Sequence, residues 1–205
     1  MVWISCRVGY VLMPLGAFKQ AILGASGVGD VVLLSSQTLS NAASVSFTSQ
    51  FSSAYNEYIF GFYNVNSATD ATTLGVNFST DSGSNYNVAK TTTFYRAQHK
   101  TDGSDSDLGY QTGSDLAQGT GFQIISADLG SGADESTAGI FRLFNPADTT
   151  YVKNFYSRFN SYHASEYSND MFAQGYGNTA SAVNAVQFKM ASGNFDGIVK
   201  LWGVK

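Results

Sequence analysis

The chain has 205 residues, enough for one β-sandwich or barrel, because such domains commonly run to ~200–250 residues as a unit. Charged residues make up only 13%, about half the ~25% usual in soluble proteins. The 11 Lys and Arg are scattered singly in a chain of net charge −4, so no basic stripe exists and duplex nucleic acid is excluded as a partner. Cys6 is the single cysteine, which rules out an internal disulfide or a thiolate zinc cluster. Gly, Ser, Thr and Asn take the place of charge, a composition suited to extracellular binding domains and virus coat proteins more than to cytosolic enzymes.

Residues 1–29 form a region apart from 30–205. Met1–Leu12 is apolar but interrupted by Arg7 and Gly9, and it falls far short of the ~20 residues of a membrane span. It also lacks the basic start of a secretory leader. It reads as an upstream extension, with the functional unit opening at Met13. Pro14 suits a first helical turn. Leu15, Phe18, Ile22 and Leu23 then recur at helical spacing, and Gly24 is a plausible stop. So short a helix is marginal alone, so its apolar face must dock on the domain, a neighbouring subunit or a larger assembly. Those four residues are the expected assembly anchor. Gly24–Gly29 has the glycine spacing of a phosphate loop, but Asp30 stands where that motif needs Lys.

From Asp30 onward the pattern is strands and turns. Val31–Thr38 and Ala43–Ser49 open it, and Tyr58–Val65 carries apolar residues on both parities, as a strand covered on both faces would. Leu74, Val76 and Phe78 alternate, Asp81–Ser84 makes a turn, and Tyr86–Tyr95 follows. Lys100–Thr120 shows no periodicity and reads as a surface loop. Phe122–Leu129, Ala138–Phe144, Tyr151–Tyr162 and Met171–Tyr176 are further strands. Val186–Lys205 reads as two strands around a turn-rich centre, a closing hairpin. The prediction is an all-β chain: an antiparallel β-sandwich with jelly-roll-like connections and a short N-terminal helix.

Catalytic patterns fail one by one. Asp81-Ser-Gly83 matches the aspartic-protease tripeptide, but that chemistry needs two copies, so it reads as a turn. Asp102–Asp107 with Asp115 offers oxygen to calcium, yet the EF-hand order breaks at Gly113, leaving a solvated acidic loop as the expectation. His99 and His163 are the only histidines and lack zinc spacing. No G-x-S-x-G exists to support a serine nucleophile. Glu57, Glu135 and Glu166 with the aspartates select no glycosidase pair. Neither a catalytic residue, nor a metal, nor a cofactor is therefore expected. Asn77-Phe-Ser79 is a glycosylation pattern placed mid-strand. The segments Asn160–Asp170 and Gln174–Asn178 mix aromatic and amide side chains. Tyr162, Tyr167, Tyr176 and Asn178 can form a sugar-stacking patch, or the tyrosines can cover a domain edge or subunit contact.

Two segments carry a family likeness. Val76-Asn-Phe-Ser-Thr-Asp-Ser-Gly-Ser-Asn-Tyr-Asn-Val88 with Lys90-Thr-Thr-Thr-Phe94 is one. Ala185–Val204, with its Ser-Gly-Asn turn and apolar ending Leu-Trp-Gly-Val, is the other. Together with the opening Met13-Pro-Leu-Gly-Ala-Phe-Lys19 they resemble structural proteins of tailed bacteriophages, especially those of marine bacteria. In those proteins the ending usually carries tyrosine where Trp202 stands here. The resemblance implies a non-enzymatic virion component of tail, fibre or capsid-surface type. Expected partners are other virion proteins, further copies of the chain and a host surface glycan, with neither nucleic acid nor membrane insertion. The alternatives are a carbohydrate-binding β-sandwich module and, more remotely, a glycan hydrolase.

Overall fold

The computed structural model describes residues 30–205, so the expected helix bearing Leu15, Phe18, Ile22 and Leu23 lies outside the described residues. The described chain is all-β. The first six strands are β1 (Val31–Ala42), β2 (Val45–Phe47), β3 (Glu57–Ser67), β4 (Thr72–Ser79), β5 (Lys90–Lys100) and β6 (Ser106–Tyr110). The remainder are β7 (Gln123–Leu129), β8 (Thr137–Phe144), β9 (Lys153–His163), β10 (Tyr167–Gly177), β11 (Ala185–Met190) and β12 (Phe195–Val204). All pair antiparallel in the lateral order β1-β12-β3-β8-β9-β7-β4-β11-β2, and β10, β5 and β6 continue outward from β9. The sheet curls until it nearly closes into a barrel. Its seam between β7 and β9 is a single pair, Leu129 with His163.

Alternation makes the core. On β9, Phe155, Ser157, Phe159 and Ser161 turn inward while Asn154, Tyr156, Arg158 and Asn160 face out. Phe188 on β11 is fully buried and meets Phe60 at 5.0 Å and Phe62 at 4.9 Å between ring centroids. It also meets Phe141 at 5.6 Å. These contacts are mostly edge-to-face, each worth ~0.5–1.5 kcal/mol beyond area burial. The mixed parity of β3 has a simple cause: its outer side is partly roofed, with the Trp202 ring packed on Gly61.

Three register shifts line up side by side. They fall between Leu39 and Ala42 on β1, Asp196 and Ile198 on β12, and Phe62 and Val65 on β3. Gly197 sits at the centre with φ of 138°. A Cβ there would stand 3.0 Å from the Val65 Cα, so the bend requires glycine. Bulges sharpen local twist and bend a strand, and aligned bulges bend three strands together.

Three expectations are corrected. The closing strands do not pair with each other: β11 lies between β4 and β2, and β12 between β1 and β3. Both strands carry a buried face, Val186 and Phe188 on one and Phe195, Val199 and Leu201 on the other. The Ser-Gly-Asn turn therefore carries the chain from one wall to the opposite wall, where a hairpin was expected. The loop Lys100–Thr120 contains β6, which pairs β5 from Tyr95–Tyr110 to His99–Ser106. That strand is solvent-facing throughout, with Leu108 73% exposed, so no periodicity marks it. Finally, β5 begins at Lys90, after Tyr86, because Asn77 Nδ2 holds the preceding segment through the Tyr86 carbonyl at 2.6 Å.

Candidate functional site

The outer face of β8, β9, β10, β5 and β6 carries one continuous cross-strand row, Ile140–Arg158–Phe172–Tyr95–Tyr110. Each position is the outward one of its strand, so neighbouring side chains touch across the sheet. Phe172 lies flat on Tyr95, centroids 4.7 Å apart and 9° from parallel. The Arg158 guanidinium sits 4.8 Å over Phe172. The same guanidinium makes a two-pronged bond to Asp170, Nε to Oδ1 at 3.0 Å and Nη2 to Oδ2 at 2.7 Å. That pairing, hydrogen bond first and charge second, raises the Arg158 pKa.

Two depressions open beside this row. One, of about 410 Å³, is lined by Ala138, Gly139, Ile140, Arg158, Asn160 and Asp170. The other, of about 280 Å³, adds Thr101, Asp134, Ser136, Tyr162 and Ser168. Asn160 lines both, so the two follow one another along β9 as a shallow groove with Asn160 between them. Its Nδ2 donates to the Asn169 carbonyl at 2.9 Å and more weakly to Ser168 Oγ at 3.4 Å. No hydrogen bond among the described residues uses its Oδ1. The Tyr162 hydroxyl donates to Glu166. That bond raises its pKa, with Asp134 and Glu135 adding to the shift, so this end of the groove is electronegative.

Beneath the hairpin of β9 and β10 lies a second polar group. Arg96 Nη1 meets Asp128 Oδ2 at 2.5 Å, and His163 Nε2 faces the same oxygen at 3.4 Å. His163 Nδ1 accepts the Ser165 N–H at 2.8 Å, so both ring nitrogens are engaged. Arg96 Nε, Ser161 Oγ and both amide atoms of Asn169 are buried there without a partner.

The four tyrosine and amide residues singled out from sequence divide into two pairs. Tyr162 lines the groove. Tyr167 starts β10 on the opposite parity, its hydroxyl donating to Asp105 at 3.0 Å. Tyr176 and Asn178 lie at the far end of β10, about 30 Å along the strand at ~3.3 Å per residue, with Asn178 bonded to Gln118 at 2.7 Å. The acidic loop is dispersed as well. Asp102 accepts from Ser104 and Asp115 from Tyr110, and no group of three such ligands able to hold a metal occurs among the described residues. Asn77 is fully buried with its amide protons on the Tyr86 and Thr120 carbonyls, which removes it as a glycan acceptor. Ile140, Arg158, Asn160 and Asp170 were not singled out from sequence. The outward alternation Asn154, Tyr156, Arg158, Asn160, Tyr162 was the available signal, since it places an arginine and an amide on a solvent face.

No family model, curated protein or solved structure matches the chain.

Proposed function

We propose that the chain is a non-enzymatic virion structural protein of a tailed phage, displayed on the particle as a jelly-roll β-sandwich in several copies. The observation that carries this reading is the strand order. β1-β12-β3-β8-β9 and β2-β11-β4-β7 form two runs that meet at the Leu129–His163 pair. The chain alternates between them at β1/β2, β2/β3, β3/β4, β7/β8 and β11/β12. That alternation is how a jelly roll is wound, an architecture common in viral capsid and lectin domains. The β5–β6 and β9–β10 hairpins extend the first run into a broad face suited to contact with other virion proteins or a host surface. Antibody raised against the chain should decorate intact particles at a fixed position on tail, fibre or capsid. Particles that lack the chain by mass spectrometry would overturn the reading.

The second reading, a carbohydrate-binding module, is favoured by the groove itself. It sets an apolar residue, an amide, hydroxyls and a neutralised ion pair side by side, the mixture a sugar needs. Binding on a glycan array favours it, and silence across the array counts against it.

A further inference from the structure

We propose that the groove along β9 binds an uncharged oligosaccharide centred on Asn160, and that its rim rejects uronate-, sialate- and sulfate-bearing chains. This rests on the carbohydrate-binding reading and adds where the glycan lies and which charge class it belongs to.

Three observations carry it. The floor is apolar and low: Ile140 is 43% exposed. Ala138, the other outward-facing residue of β8 in that lining, adds only a methyl group beside it. A sugar ring offers C–H faces to such a floor and hydroxyls to its walls. Those walls hold acceptors and groups that both donate and accept: Asn160 Oδ1, Ser136, Ser168 and Tyr162. Hydroxyl ligands, which do both, suit such a set. From Arg158 to Tyr162 the groove follows β9 for about 13 Å, longer than a single ring.

Charge decides the class. Arg158, the cation lining the groove, is bonded through Nε and Nη2 to Asp170, which offsets its charge in place. At the other end the Asp134 carboxylate lines the wall and the Glu166 carboxylate accepts from the Tyr162 hydroxyl. An anionic sugar would meet carboxylates at one end and an arginine already offset by Asp170 at the other, and like charges disfavour binding.

The test uses the full chain and defined probes: laminarin, mannan and dextran oligosaccharides as neutral ligands, alginate and carrageenan oligosaccharides as anionic ones. Titration calorimetry should show at least one neutral probe bound and both anionic probes not bound. Asn160→Ala, checked for fold by circular dichroism, should weaken that binding about tenfold, the scale of one good hydrogen bond. Asp134→Asn combined with Glu166→Gln should raise alginate binding relative to that of the neutral probe. Alginate or carrageenan bound by the unaltered chain as tightly as any neutral probe overturns the charge class but leaves carbohydrate binding standing. Neutral binding indifferent to Asn160→Ala overturns the location. No binding to any probe overturns both this proposal and the reading beneath it.

Discussion

Lys90 Nζ lies 2.5 Å from Asn77 Oδ1 inside the protein, and both residues are fully buried. The ammonium has no carboxylate among its hydrogen-bond partners. Its other contacts are the Val88 carbonyl at 2.7 Å and the Phe78 ring at 5.7 Å. Burial alone lowers its pKa from 10.5 to about 7, because a charged amine is costly away from water.

That burial makes stability depend on alkaline pH. Between about 7 and 10.5 the unfolded chain holds a proton on Lys90 that the folded chain has released, so stability rises with pH across this window. The full span amounts to at most about 5 kcal/mol. In Lys90→Met this rise should vanish, and the variant should be at least as stable as the parent at pH 7. Urea unfolding at several pH values between 7 and 10 measures it; equal slopes in both proteins would refute the assignment.

At the acid end the relevant group is Asp81. Its carboxylate accepts from the Ser79 hydroxyl and from the side-chain and backbone N–H of Asn85, which hold its pKa at about 2 against the usual 3.8. A depressed carboxylate contributes stability above its unfolded pKa and loses it as pH falls through the folded value. Asp81→Ala should therefore lower the melting temperature at pH 6, and the gap should close as pH falls from about 4 to about 2. A gap that stays constant over that range means the turn is held by something else.

Phe188 touches four other phenylalanines, Phe47, Phe60, Phe62 and Phe141. Phe188→Ala should cost ~3–5 kcal/mol by the lost transfer energy and the cavity left behind. Chemical denaturation reads this directly. A loss under 1 kcal/mol would mean the neighbouring rings collapse into the space.

Removal of residues 1–29 tests the anchor proposed for Leu15, Phe18, Ile22 and Leu23. The truncated chain should keep the parent's β-sheet dichroism signal and unfolding midpoint yet fail to enter particles. Burying four such side chains supplies ~1.5–3 kcal/mol each before ordering costs. Particles that take up the truncation at normal copy number would remove the anchor from the account.

Strands rich in apolar residues were legible: β3, β4, β7, β8 and β9 stand within a residue or two of where the pattern put them. β6 and the first turns of β10 were not. Ser106–Tyr110 has no buried face to imprint a pattern, and Tyr167–Asp170 places a buried Asn169 where alternation calls for an apolar residue. The pairing of β11 and β12 was misread for a different reason. A short turn between two apolar strands suits a hairpin and a wall-to-wall crossing equally well, and only long-range pairing with β4 and β1 separates them. The candidate groove was half visible. Tyr162 and Asn160 lie in a segment noted for its aromatic and amide content, but Ile140 arrives from β8, twenty residues away in sequence, by register alone.

The one-pair seam between Leu129 and His163 has a mechanical consequence. Along the rest of the strand order a ladder of amide bonds must break in concert before two paired neighbours part, whereas here a single rung leaves side chains to hold the join. Openings that need little free energy start where backbone protection is thinnest. Deuterium should therefore reach the facing amides of β7 ahead of those of β12, which is bonded along both its sides, and a protease seeking entry would find its first foothold along that join.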